Sequence, residues 1–178
     1  MERFKRYALL SSIIERLNEK GFCGETHIQK AVYFLQKLFP PFTGYPFILY
    51  KYGPFSFALR DDLGIMEALE IIRVFPQSPS GTRIVTGDMA ERIKAMFQKV
   101  LKETENKIDF VTEKLGGKSV KELEILATAL YIKEKLPEKN LRDRAGLICA
   151  LKPHISFKEA LSALEKIGEI EKESKKVV

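Results

Sequence analysis

Lys51-Tyr52-Gly53-Pro54-Phe55-Ser56, at residues 51–56, opens the stretch whose reading decides the fold, and Gly81-Thr82-Arg83-Ile84-Val85-Thr86-Gly87, at residues 81–87, closes it. Just upstream, Phe47-Ile48-Leu49-Tyr50-Lys51-Tyr52 is short, aromatic and β-branched, which predicts a strand. Gly53-Pro54 predicts a turn, because Gly tolerates positive φ and the ring of Pro, the next residue, fixes its own φ. Ser56 then suits the cap of a helix that buries Phe57, Leu59, Leu63, Met66 and Leu69 and turns Arg60, Asp61 and Glu67 outward. Ile71–Phe75 and Thr82–Thr86 flank Pro76-Gln77-Ser78-Pro79-Ser80-Gly81, a loop of turn residues, and predict a hairpin carrying Arg73 and Arg83.

Toward the N-terminus, Phe4, Tyr7, Leu10, Ile13, Ile14 and Leu17 form one helical stripe, and Gly21 marks its stop. Thr26 and Gln29 have the spacing of a capping box for a second helix, which Pro40-Pro41 ends. Two helices, a strand, a third helix and a two-stranded wing predict a winged-helix-like lobe over residues 1–87. The order points to binding rather than chemistry.

Residues 88–178 predict a helical lobe. Apolar positions from Met89 to Leu115 keep helical spacing; an unbroken helix there would run roughly 40 Å and form a spine between two lobes, and the alternative is a kink near Thr104–Asn106. Ser119 with Glu122 and Ser156 with Glu159 have capping-box spacing and open two further helices around one at Leu141–Leu151. The charged tail from Glu169 onward is expected to fray. The fold class is therefore mostly α with a small β component, a winged-helix-like N-terminal lobe plus a C-terminal helical bundle.

Composition narrows the function classes. With 45% hydrophobic and 30% charged residues, the chain is globular rather than disordered. No window reaches the roughly 18 apolar residues of a membrane span, and no signal-peptide pattern opens the sequence, so a cytoplasmic protein with no membrane partner is expected. The net charge of +6 is spread evenly: residues 1–87 hold 11 basic and 8 acidic side chains, and residues 88–178 hold 19 and 16. Such a balance permits weak attraction to nucleic acid without predicting it.

Candidate chemistry is sparse. Cys23, His27, Cys149 and His154 total two Cys and two His, but structural zinc favours tight pairs, and these lie far apart as Cys-x₃-His and Cys-x₄-His. Cys149 sits in an apolar run, where a buried inert thiol is the ordinary explanation. Neither a metal nor a cofactor is expected. There is no nucleophile elbow, zinc-protease motif or phosphate loop. Asp61 and Asp62 diverge by about 100° on a helix, so they read as a helix-surface pair, or as a cap partner for Lys51 or Arg60, rather than a shared site. Tyr45, Tyr50 and Tyr52 offer a stacking or partner surface.

Several of these segments resemble the SocA-like, or Panacea-type, antitoxin superfamily, and more closely its YwgA-type branch. His27-Ile28-Gln29-Lys30-Ala31-Val32-Tyr33-Phe34-Leu35 is similar to that family's helix beginning K-L-Q-K-L. Lys51–Ser56 with Leu59, Asp62 and Leu63 is similar to its Y-G-P-Y-S-x-x-L-x-x-D-L block. Ser119–Tyr131 and Lys152-Pro153-His154-Ile155-Ser156 resemble later segments of the branch. This sequence departs at His27, where the family has Lys, and at Gly64 inside the third helix. The resemblance implies a mostly helical, non-enzymatic protein that neutralises a toxin or delivers a client as an adaptor.

Two functional expectations follow. The first is a protein-interaction module whose partner, a toxin or adaptor client, meets Tyr52, Gly53, Pro54 and Arg60. The second is a winged-helix DNA-binding regulator that uses Lys30, Lys51, Arg73 and Arg83 against phosphate. The long helix from Asp88 also offers a surface for homodimerisation.

Overall fold

A computed structural model describes residues 2–77 and 81–177. Among them the chain is mostly α-helical with a small β component: eight helices and two antiparallel two-stranded sheets. In chain order these are α1 (Arg3–Lys20), α2 (Glu25–Leu38), β1 (Ile48–Tyr50), β2 (Gly53–Phe55), α3 (Phe57–Ala68), β3 (Ile72–Gln77), β4 (Gly81–Thr86), α4 (Ala90–Met96), α5 (Gln98–Leu115), α6 (Val120–Lys135), α7 (Leu141–Leu151) and α8 (Phe157–Ser174). No helix among the described residues is long and apolar enough to cross a membrane.

α1 buries its expected stripe from Tyr7 to Leu17 and stops at Gly21. α2 begins earlier than Thr26 and Gln29 suggested. The segment before it lies along β4, where Ile84 N–H donates to the carbonyl of Cys23 (2.8 Å). The helix therefore starts after Gly24, whose amide donates to His27 Nδ1 (3.4 Å). That leaves Gln29 free for a distant task. Its amide and the backbone of Ser56 exchange two hydrogen bonds of 2.9 Å, and Ser56 in turn caps α3 through Leu59 N–H (3.3 Å).

The first sheet corrects the expected turn. Ile48↔Phe55, Leu49↔Pro54 and Tyr50↔Gly53 are paired, so the chain reverses at Lys51-Tyr52, and Gly53-Pro54 belongs to a strand. Gly53 closes the reversal at φ +82°, a conformation that favours Gly. The second sheet runs from Ile72↔Thr86 to Gln77↔Gly81. The centre of its expected loop, residues 78–80, lies outside the described residues. On α3, Leu59, Leu63 and Met66 are buried as expected, whereas Phe57 and Leu69 are exposed and Asp62 is buried.

The helical stretch from Asp88 is neither unbroken nor kinked near residues 104–106: it breaks at Phe97 into α4 and α5. Both pieces pack on α1, with Lys94 Nζ 2.7 Å from Glu15 Oε2 and Arg16 Nε 2.7 Å from Asp109 Oδ1. α1 has 18 residues, roughly 27 Å at 1.5 Å per residue, so a straight 40 Å rod would overshoot it. Bending keeps both segments in contact. The capping boxes at Ser119 and Ser156 form as expected. The tail holds its helix further than charge alone suggested: Ile170 and Ser174 are buried, and Glu171 and Glu173 pair with Lys133 and Lys114.

One apolar cluster runs from Tyr7 through Ile84 and Leu123 to Ile170. α2 packs on α5 and α6, and β2 packs on α6. The division at residues 87 and 88 is thus one of chain order, and the two halves share a core.

Candidate interaction surface

The β1–β2 hairpin is held from beneath by two buried ammonium groups. Lys30 on α2, 1% exposed, donates from Nζ to the carbonyl of Pro54 (3.0 Å). Lys152, which follows α7, donates to the carbonyls of Tyr50 (2.9 Å) and Lys51. Backbone carbonyls that would otherwise be stranded under α6 are satisfied this way. Buried Glu124 supplies the compensating charge: its Oε1 lies 3.1 Å from Lys152 Nζ, within ion-pair range though not aligned as a hydrogen bond. The other oxygen, Oε2, lies 3.1 Å from His154 Nε2. A carboxylate only accepts, so that nitrogen carries the proton. Burial pushes Lys30 down to about 8, opposed by Glu124 and reinforced by Lys152.

Gly53 sits where the hairpin meets α6. A Cβ there would stand 3.1 Å from Thr128 Oγ1 and 3.3 Å from the carbonyl oxygen of Glu124. Gly53 and Pro54 are therefore both buried. They position the surface rather than form it.

Above this base lie side chains open to solvent. Tyr52, 57% exposed, crowns the turn, with Lys51 beside it. Tyr50, Phe55 and Phe57 form a three-ring cluster with centroids 5.7, 5.5 and 5.1 Å apart, and Tyr50 and Phe57 remain more than 40% exposed. Ile48 is exposed as well, and Arg60 projects from α3. Aromatic rings with an adjacent Arg are the side chains most enriched at the energetic centres of protein interfaces.

Asp62 overturns the reading of a surface carboxylate pair. It accepts from Tyr45 Oη (2.7 Å) and Tyr7 Oη (3.1 Å), and Arg6 lies 3.5 Å away. Burial first, then Asp62, pushes Tyr7 up to about 12, and the same causes raise Tyr45. This knot ties α1, the loop before β1 and α3 into one support for the aromatic cluster. Tyr45 is consequently buried, not part of a partner surface.

The cations expected to face phosphate are mostly engaged elsewhere. Lys30 is buried, which removes it from any phosphate contact. Arg73 pairs with Asp88 at the base of the second hairpin, and Arg83 Nε donates to Asn18 Oδ1 (3.0 Å). Lys51 alone of the four is exposed and forms no ion pair among the described residues. Cys23 is buried, and burial pushes its thiol up to about 12, as befits an inert core residue. His27 spans Gly24 N–H and the Lys118 carbonyl (3.0 Å), and burial lowers its pKa against the opposing pull of that carbonyl. No group of three metal-ligating side chains assembles among the described residues. A concavity of about 740 Å³ between α1 and α5 is lined by Arg16, Lys20, Asp109 and Glu113, whose charges are spent on one another.

Sequence reasoning overlooked Phe57 as a surface residue and Glu124 and Lys152 as its foundation. The exposed ring at Phe57 follows directly after the Ser56 cap, in a position that faces away from the core stripe of Leu59, Leu63 and Met66; that offset was the available signal. Compared with known proteins, the chain matches no family model and has no significant match among curated proteins.

Proposed function

We propose that this chain is a non-enzymatic protein-interaction module, antitoxin- or adaptor-like, whose partner docks on the outer face of the β1–β2 hairpin and the first turns of α3. The observation that carries this reading is the three-ring cluster of Tyr50, Phe55 and Phe57, exposed beside Tyr52 and Arg60 over a buried polar foundation. Rigid support lowers the ordering cost of binding, and aromatic side chains supply contact area with few rotatable bonds. The resemblance of Lys51–Leu63 and Ser119–Tyr131 to the SocA-like superfamily supports the same class.

DNA binding draws less support. Of Lys30, Lys51, Arg73 and Arg83, only Lys51 combines exposure with freedom from a side-chain partner among the described residues.

The test is capture of a partner from the native host by wild type, Tyr52→Ala and Arg60→Ala. Loss of about tenfold or more in apparent affinity is expected for Tyr52→Ala, the range of an interface hot spot. Unchanged capture by both variants would rule out this face.

A further inference from the structure

β1 is an edge strand. Pro54 has no N–H, and its carbonyl points to Lys30, so Leu49↔Pro54 is the pair that exchanges no hydrogen bonds with its partner strand. The N–H and C=O of Leu49 therefore point away from β2, along the open side of β1. Among the described residues no third strand pairs there, and no hydrogen bond reaches either group. Unpaired strand edges are templates for another chain, and this one is bordered by the exposed rings of Tyr50 and Phe57.

Charge selects the occupant. From Phe39 to Arg60 the only charged side chains are Lys51 and Arg60, both exposed and both cationic. The carboxylate beneath the hairpin, Glu124, is buried against Lys152 and His154. Asp61, on the next position of α3, is the first exposed acid and leaves the rim basic on balance. A second copy of this chain would bring one basic rim against another. An acidic strand would not.

We infer that the free edge of β1 is a strand-addition site for an extended segment of a partner protein in which apolar residues alternate with Asp or Glu. Main-chain bonds to Leu49 would hold the segment, its apolar side chains would meet Ile48 and Tyr50, and its carboxylates, on the opposite face of the added strand, would lie on the side of Lys51. This rests on the interaction-module reading and specifies the partner's chemistry.

The experiment measures anisotropy of a labelled peptide alternating valine and aspartate, with a lysine-for-aspartate twin as control. The aspartate peptide is expected to bind, more weakly as salt rises, and the twin is not. Leu49→Pro deletes the outward amide at a position where an edge strand tolerates Pro, and should weaken binding about tenfold. Because that variant can also unfold, amide exchange at Leu49 in wild type supplies a second readout: the peptide should slow it. The inference is overturned by no binding, by equal binding of the twin, by full affinity in a folded Leu49→Pro, or by an unprotected Leu49 amide. Sedimentation that finds a dimer the peptide cannot dissociate would give the edge to a second copy and overturn it too. If Tyr52→Ala abolishes partner capture while Leu49→Pro preserves it, strand addition falls and the interaction-module reading survives. If neither variant alters capture, that reading falls as well.

Discussion

The ammonium of Lys30 stands 3.0 Å from the carbonyl oxygen of Pro54, in a site only 1% exposed. α2 thus grips β2, the second strand of the hairpin that follows it, by a charged hydrogen bond through the core. The hairpin that carries Tyr50 and Tyr52 is anchored there, at Lys152, and through Gln29 to Ser56. Anchoring of this kind turns an isolated two-stranded ribbon, marginal by itself, into a fixed platform.

Lys30 gives the fold a definite pH signature. Its folded pKa is depressed to about 8 from 10.5, chiefly by burial. The unfolded chain then binds more protons than the folded one between those values, so stability rises with pH across the window. The contribution is complete above pH 10.5 and is lost as pH falls through 8, about 3 kcal/mol in all. Denaturant unfolding at pH 7.5 and 9.5 should show the rise in wild type and not in Lys30→Met, which fills similar space without a charge.

Gly53→Ala should destabilise by about 1–3 kcal/mol, through strain at positive φ and the approach to α6. Thr128 Oγ1, 3.1 Å from the new methyl, has no hydrogen-bond partner among the described residues, so Thr128→Ala should recover part of that loss. The recovery is incomplete because the Glu124 carbonyl oxygen stays in place at 3.3 Å. Thermal melts of the two single variants and the double variant measure the coupling.

Asp62→Ala should cost about 2–3 kcal/mol, since it strips an acceptor from the buried hydroxyls of Tyr7 and Tyr45. Asp62 is one of the causes that hold Tyr7 up at about 12, so absorbance titration of a folded Asp62→Asn protein should find Tyr7 ionising at lower pH. The same knot supports α3, so amide exchange near Phe57 should quicken.

Mobility shifts with host genomic fragments are expected to show no retardation at low salt. Arg73→Ala and Arg83→Ala should alter stability only slightly, because their partnerships lie on the surface or half-buried. A retarded band whose affinity falls steeply with salt, near ~0.9 in log–log slope per phosphate contact, would revive the DNA-binding reading.

Much of this fold was legible where the signal is local. Ser56, Ser119 and Ser156 cap the helices they precede, because a cap involves groups three residues apart. α2 was harder to read. From His27 to Leu35 every residue is buried, since α1, α5, α6 and β2 all pack on it, so no polar stripe set Lys30 apart as a core group. Gln29 illustrates the same limit: its spacing from Thr26 suits a local cap, while the bonds it makes join it to Ser56, 27 residues away. The break at Phe97 has no Gly or Pro to announce it; it accompanies the packing of both pieces on α1, a tertiary contact that the local sequence does not show. Asp62 looked like a surface acid beside Asp61, and only the tertiary approach of Tyr7 and Tyr45 gives it a buried role.

The central claim, that a partner docks on the hairpin face, is tested most directly by photo-crosslinking in the native host. A crosslinking residue is placed at Tyr52, or at Met96, which is 66% exposed on α4 and packs away from the hairpin. The account predicts one discrete crosslinked protein from position 52 and none from position 96. A partner captured from 96 and not from 52 would contradict it.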